Sequence, residues 1–442
     1  MSRKIYCESL EIELELPDKC ERIISFSPAV TEALFMMGLG DKIVGVSAFC
    51  VRPEQARKKP IIGSYSSVNL ERLASFKPDI IFTTTGYQRD FAKKLSKSFN
   101  VYAIHLPTNI ACIFGMTGSG KSTTMAIIAY ELMKNDITSL IIDRTGEFRN
   151  KMIKLNYSRI YYPGYNLNLS PFDIWEEENF EERIQKYLWL LDEFCKITWK
   201  ENLSPLQNRL IFQALYRLAE KGGIDFTSLI NECRRIAKEE LKLWIEAAEA
   251  IASRFGLFSI GKFRKAFANT SISIIDNIFE KGIHVIDLSN LEYEAPKNLF
   301  SLIISNLIML KLKREGFSNN IKIAFMIDEA HNIAGKDIKF GLIEKIAMEL
   351  RKYGMSLIIA SPNPSEINPR IIANAGLLIS HQILSSDEIE VIKKHAYTSN
   401  YYSGFEEIIS NLKVGEAFIR SIRKPEGEII KIGIDEHSFL IV

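Results

Sequence analysis

The chain has no C-x-x-C pair, no long hydrophobic run, no strong excess of charge of either sign, no repeat of solenoid length and no low-complexity tract. Each absence removes a class of protein. The six cysteines (Cys7, Cys20, Cys50, Cys112, Cys195 and Cys233) are scattered, which argues against a disulfide framework or zinc site and predicts reduced thiols. The longest uncharged apolar run, Leu299 to Leu310, is about 12 residues, too short for a bilayer and suited to a buried helix, so no membrane insertion is expected. The opening residues MSRKIYCESLEIELELP put charges where an export signal needs an apolar segment, which predicts a cytoplasmic protein. With 56 Lys+Arg against 54 Asp+Glu the net charge is +2, so a polyanionic partner would have to be met by a local patch.

What is present is globular: 47% hydrophobic and 25% charged residues over 442 positions, enough for two or three domains with real cores. The chain is organised around Gly115-Met116-Thr117-Gly118-Ser119-Gly120-Lys121-Ser122, a G-x-x-x-x-G-K-S loop. It follows the apolar run Ile110 to Phe114 and precedes Thr123 to Met133, a good helix former. That order of strand, glycine-rich loop and helix is what a phosphate cradle needs. Glycines let successive N–H groups converge on one anion, and the positive end of the helix adds to the field. Lys121 would reach the β- and γ-phosphates and the Ser122 hydroxyl would ligate Mg²⁺, which predicts binding of a nucleoside triphosphate.

Ahead of this loop, Leu10 to Leu16 alternates with the period of a half-buried strand. Strands at Ile23–Phe26, Lys42–Ser47, Asp79–Thr84 and Val101–Leu106 then alternate with helices. One helix opens at Ser27-Pro28, one is capped by Asn69 and one runs from Arg89 to Phe99. This pattern implies a small Rossmann-like parallel α/β lobe over residues 1–108. The stretches RIISFSPAVTEALFMMGLGDKIVGVSAFC and PIIGSYSSVNLERLASFKPDIIFTTTG resemble the first lobe of class III binding proteins, which capture cobalamin or ferric siderophores. The resemblance covers roughly residues 20–106 and would put ligand-facing loops near Ser27–Pro28, Ala48–Cys50 and Gly63–Tyr65. After Pro107 the chain runs into the phosphate loop where such proteins continue into a bridging helix and second lobe. His105 reads as a strand-end histidine.

From residue 109 to 442 the sequence predicts a second α/β domain, with a helical insertion over about 174–268 that carries no chemistry of its own. Within that stretch Gly261 to Phe267 (GKFRKAF) interleaves basic residues with aromatics. Phosphate contact is one reading and a solvated face with buried Phe the other. A strand at Ser139–Ile142 leads to Asp143 and Glu147, and Ile321–Ile327 leads to Asp328-Glu329. A helix over Phe340–Tyr353 and a strand over Met355–Ala360 follow, and the chain closes on a hairpin turning at Lys424-Pro425-Glu426. An acidic pair ending an apolar strand sits where open α/β sheets bind ligands. Asp328 would hold Mg²⁺ through water, and Glu329 would orient and deprotonate an attacking water.

Taken together, IFGMTGSGKS, LIIDRTGEF, GIHVIDLSNL, FMIDEAHNIA, ELRKYGMSLIIASPNPSEINPRIIANAGLLISHQI and LKVGEAFI resemble the HerA branch of the HerA/FtsK superfamily over about residues 109–435. The resemblance implies a RecA-like P-loop ATPase domain, Mg²⁺ and ATP as cofactors, a homo-oligomer (usually a hexamer), double-stranded DNA as the track and a partner nuclease. It carries Gly115, Thr117, Gly118, Ser119, Gly120, Lys121, Ser122 and Thr123 over as nucleotide-binding residues, Asp143 and Glu147 as the edge of the site, and Ser122 and Asp328 as metal ligands. Glu329 and Lys121 are implied catalytic residues, with Arg351 a candidate finger reaching a neighbouring subunit's γ-phosphate. Where the family usually has S-Q-R-P-S, this chain reads Ser361-Pro362-Asn363-Pro364-Ser365, so the usual glutamine is a proline without a side-chain donor. The small β-barrel that usually precedes the motor is replaced by the binding-protein-like lobe. His331 and His381 read as hydrogen-bonding histidines near the site. Alternatives are a conjugation or secretion ATPase of the same superfamily, and an ATP-switched corrinoid- or siderophore-binding or protein-interaction module.

Overall fold

The computed structural model describes residues 2–432 except 8, 11, 65, 85–87, 105–108, 153–157, 174–178, 222, 271–276, 339–340, 396–403 and 422–423. The readings made of Tyr65, His105, Pro107 and Phe340 therefore lie outside the described residues. The chain divides into two compact units, Met1–Thr108 and Asn109–Val442.

In the first unit an antiparallel hairpin, β1 (Ser2–Cys7) and β2 (Ile12–Pro17), precedes a five-stranded sheet. β3 (Ile23–Ser25) leads through α1 (Pro28–Met36) to β4 (Ile43–Ser47) and β5 (Ile61–Gly63). α2 (Leu70–Ser75), β6 (Ile80–Thr84), α3 (Arg89–Ser96) and β7 (Val101–Ile104) follow. All neighbouring pairs are parallel in the order β5-β4-β3-β6-β7. Local chemistry sets the helix starts. Pro28 occupies the first turn of α1 behind the Ser27 cap, and the Asn69 side chain accepts from Arg72 N at 2.9 Å. β1 escaped the sequence reading because its residues are mostly exposed and do not alternate.

The second unit is built on a nine-stranded sheet. β8 (Ile110–Phe114), α4 (Lys121–Lys134), β9 (Thr138–Asp143), α5 (Glu147–Met152) and β10 (Ser158–Tyr161) come first. The helical stretch then supplies α6 (Phe180–Trp199), α7 (Pro205–Lys221), α8 (Phe226–Lys238), α9 (Lys242–Phe255) and α10 (Gly261–Ala266). β11 (Ile283–Asp287), α11 (Glu294–Glu315), β12 (Ser318–Ile327), α12 (Leu342–Glu349) and β13 (Tyr353–Ser361) return to the sheet. α13 (Pro369–Ala373), β14 (Leu377–Ser380), α14 (Ser386–His395), α15 (Phe405–Ser410), β15 (Glu416–Ser421) and β16 (Lys424–Lys431) complete it. The strand order is β10-β11-β9-β12-β13-β8-β14-β15-β16, antiparallel only between β14, β15 and β16.

Alternation along each parallel strand divides its side chains between two cores. Ile110, Cys112 and Phe114 join one face with Leu140, Phe325 and Leu357, under α6 to α11. Ala111 and Ile113 join the other with Ile141, Met326 and Ile358, under α4 and α5. α11 takes the long apolar run Leu299 to Leu310, and no described helix is long and apolar enough to cross a membrane.

Two local expectations change and one open reading is settled. The helix expected over 340–353 ends at Glu349, a 3₁₀ turn covers Leu350–Lys352, and β13 already begins at Tyr353. In the closing hairpin Ser421 pairs with Lys424, so 424–426 belong to β16 and not to the turn. In GKFRKAF, Phe263 and Phe267 are buried while Lys262 pairs with Glu292 and Arg264 with Asp225. That is the solvated face with a phenylalanine core. The helical stretch is held by rings: Phe226 lies 4.9 Å from Phe258, 5.2 Å from Phe172 and 5.8 Å from Phe255, centroid to centroid. Replacing it should leave a cavity at the centre of that cluster. Phe226→Ala is expected to cost about 3–5 kcal/mol in urea unfolding followed by tryptophan fluorescence.

Candidate nucleotide site

β8, β13 and β12 are consecutive parallel neighbours, so their C-terminal ends leave the sheet at one edge. Gly115 to Ser122 follows β8, Ser361 ends β13, and Asp328-Glu329 follows β12. The loop turns through glycines. Gly115 has φ +152°, and a Cβ there would meet Ser119 Oγ at 2.5 Å and the Cβ of His381 at 2.6 Å. Gly118 has open space around it but φ +81°, a backbone state that a side chain disfavours. Gly120 caps α4 with φ +116°, facing the His381 ring.

Lys121 opens α4, buried, its Nζ donating to Gly115 O at 2.8 Å and Met116 O at 3.2 Å. Burial lowers the pKa of this ammonium, and the carboxylates of Glu329, Asp328 and Glu147 oppose the shift. Ser122 Oγ donates to Glu147 Oε2 at 2.7 Å. Asp328 is 2% exposed, and its pKa is pushed up to about 7 by burial and then by Glu329 and Asp143, against the Glu329 N–H that donates to it at 3.1 Å. Glu329 adopts φ +50°, ψ +45°, a strained conformation outside glycine, and such strain gathers at functional sites.

The fold thus brings together Gly115, Thr117, Gly118, Ser119, Gly120, Lys121, Ser122 and Thr123 on one loop and helix start, with Glu147, Asp328 and Glu329 facing Lys121. Asp143 differs from expectation in what its carboxylate does. Fully buried, it accepts from Thr145 N, Thr145 Oγ1, Gly146 N and Phe148 N, and so shapes the turn that presents Glu147. A polyphosphate and Mg²⁺ fit the residues present. The buried Ser119 Oγ has no hydrogen-bond partner among the described residues, and a hydroxyl and a carboxylate, Ser122 and Asp328, stand ready as hard oxygen ligands. No cluster of three His, Cys, Asp or Glu able to hold a metal by itself occurs among the described residues.

The sequence model of the HerA helicase central domain matches residues 108–308, and that of the periplasmic binding proteins matches residues 23–129. The DNA double-strand break repair helicase HerA of Sulfurisphaera tokodaii is 25% identical over 350 residues, 74% of this chain and 65% of that protein. The structure of VirB4 of Thermoanaerobacter pseudethanolicus superposes with a TM-score of 0.60 at 16% identity, covering 74% of this chain and 90% of that one. The second unit has the fold of the P-loop ATPases and, over residues 108–308, resembles the HerA central domain. Ahead of it the chain carries a binding-protein-like fragment, 45% identical over 74 residues to the vitamin B12-binding protein of Yersinia pestis (strain Pestoides F), which is 16% of this chain and 26% of that protein.

Within the HerA-type unit, Arg351 is exposed on the 3₁₀ turn before β13, so it stands at the opposite edge of the sheet from the phosphate loop. Nine residues of β13 separate the two edges, about 26 Å. It does not join its own chain's site. Pro362 follows β13 directly, beside the half-buried Asn363. In the binding-protein-like unit the Ser27 carbonyl accepts from Thr31 Oγ1 at 2.9 Å and Cys50 Sγ lies 3.2 Å from Ser47 Oγ, while Ala48 and Phe49 are exposed.

Sequence reasoning undervalued two residues. Arg144, 2% exposed, reaches Glu294, Asn298 and Ser301 and ties the end of β9 to α11; its place after a strand-ending aspartate gave no such signal. His381, fully buried, lies beneath the phosphate loop. Its Nδ1 faces Glu416 O at 3.1 Å, a pure acceptor, so Nδ1 carries the proton and Nε2 accepts from Thr124 Oγ1 at 2.8 Å. Burial, with Lys121 nearby, pulls its pKa down from 6.5 to about 4. A depressed folded-state pKa gives stability that is present above pH 6.5 and lost as pH falls through 4. His381→Gln, which keeps an amide at the Nε2 position, should therefore lose ~3 kcal/mol less than the wild type between pH 7 and pH 4 in paired urea titrations.

Proposed function

We propose that this chain is an ATP-hydrolysing motor of the HerA type that works in the cytoplasm as a homo-oligomer, a hexamer, on double-stranded DNA. The observation that carries the reading is the convergence of Lys121, Asp328 and Glu329 at one sheet edge, where both carboxylates bear on the lysine. Lys121 binds the β- and γ-phosphates, and the loop amides between Gly115 and Ser122 hold the remaining charge. Ser122 and Asp328 would hold Mg²⁺, which would supply positive charge against the phosphates. Glu329 accepts the proton of the attacking water, and its constrained backbone fixes where that carboxylate can point.

Because Arg351 stands at the far edge of its own sheet, the only γ-phosphate it could serve is a neighbour's, which is how the reading uses a ring. DNA enters through the likeness to the DNA double-strand break repair helicase HerA of Sulfurisphaera tokodaii, of which this chain spans 65%, and a partner nuclease through the sequence resemblance to the HerA branch. Two variants test the chemistry. Lys121→Ala should lose both ATP binding and hydrolysis. Glu329→Gln should keep ATP binding while the hydrolysis rate falls by on the order of 10²–10⁴. With the wild type, linear duplex DNA should raise the ATPase rate severalfold. Stimulation by single-stranded DNA alone would overturn the duplex assignment in favour of a conjugation-type motor, and an intact rate in Glu329→Gln would overturn the site.

A further inference from the structure

The acidic pair of this site is followed by Ala330-His331-Asn332, and the His331 ring lies among Glu329, Asn332 and Ser361. Asn332 Nδ2 donates to the Glu329 carbonyl at 3.0 Å, which fixes the orientation of the amide. The same Nδ2 lies 3.2 Å from His331 Nε2. An amide nitrogen only donates, so Nε2 is the acceptor and the proton of the neutral ring sits on Nδ1. That Nδ1–H lies 3.4 Å from Glu329 Oε2 and 3.5 Å from Ser361 Oγ, between the glutamate and the last residue of β13. Ser361 is fully buried, while the His331 and Glu329 side chains are 23% and 25% exposed.

We propose that His331, set by Asn332, is a positioning residue that aims the Glu329 carboxylate and ties it to the end of β13. The inference rests on the assignment of Glu329 as the base. Two features require such a device. Glu329 adopts φ +50°, a state that an L-residue leaves unless held, and the Asn332 amide holds its carbonyl. The residue that follows Ser361 is Pro362, whose side chain cannot donate, so a polar link between the glutamate and β13 has to come from elsewhere. The His331 ring supplies one from the β12 side. Its long contacts suit a link that shortens when the site closes on nucleotide, as catalytic hydrogen bonds commonly do.

The test uses the full chain with Mg²⁺-ATP and linear duplex DNA, comparing His331→Asn, His331→Gln and His331→Ala. An asparagine amide nitrogen falls where Nδ1 stands, whereas glutamine places its amide where Nε2 stands. His331→Ala and His331→Gln should lose kcat by on the order of 10²-fold, with KM and the ATP dissociation constant within about threefold, because the aim of the base is lost while the phosphate loop is untouched. His331→Asn should recover most of kcat. Ser361→Ala should cost less, and adding it to His331→Ala should change nothing further, as two members of one link behave. Asparagine and glutamine are both soluble, polar replacements, so a difference between them reports the donor's position and not folding. If the wild type does not hydrolyse ATP, the function proposed above falls and this inference with it. If the wild type is active and His331→Ala is too, or if His331→Asn is as slow as His331→Ala, this inference alone is overturned.

Discussion

The site depends on one constraint: β8, β13 and β12 lie side by side and run the same way. Parallel neighbours end at a common edge, so the phosphate loop, Ser361 and the Asp328-Glu329 pair emerge together although they are separated by some two hundred residues of chain. The same constraint decides what is kept apart. Arg351 precedes β13, so whatever its side chain does, it does at the other edge. Cooperation within one chain and cooperation between chains are thus separated by strand direction alone.

That assembly violates ordinary rules of burial. An ammonium, a carboxylate, a guanidinium and an imidazole (Lys121, Asp328, Arg144 and His381) are each buried around a strained glutamate. The costs are unequal. Arg144 is met by Glu294 and Asn298, and His381 stays neutral with both nitrogens engaged. Asp328 instead is buried near other carboxylates, and burial first and then those charges raise its pKa. A group left so poorly compensated by its own chain is one whose proper partner is a cation. In the function proposed above, Mg²⁺ would supply that charge.

Much of this was legible because the decisive signals are short and local. G-x-x-x-x-G-K-S needs its glycines at fixed offsets, and Asp328-Glu329 closes a run of apolar residues that could only be a buried strand. Helix starts were legible for the same reason: Ser27-Pro28 and Asn69 act on the turn that follows them. What was not legible depends on distant partners. Asp143 is spent on the turn beside it because β11 and β9 bury it, and His381 packs beneath a loop 260 residues earlier because β14 is the neighbour of β8. The closing hairpin was misplaced because a Pro-Glu-Gly sequence looks like a turn, whereas the register with β15 brings Lys424 opposite Ser421. Local turn propensity yields to cross-strand pairing when the two disagree.

The first unit poses the opposite case, a fold whose signature is clear and whose core is its own. Its hydrophobic cluster runs from Cys7 to Ala103 and shares no residue with the two cores of the ATPase unit. Its five parallel strands and its own hairpin are therefore enough to bury a core without a second lobe. The two family matches overlap over residues 108–129, where strand, loop and helix continue the alternation of the first unit and at the same time open the second. Periodicity alone cannot mark that join, because both folds are parallel α/β layers. The glycines and Lys121 mark it. Every residue assigned to the nucleotide site lies after the join, and likeness of fold does not carry a ligand across with it.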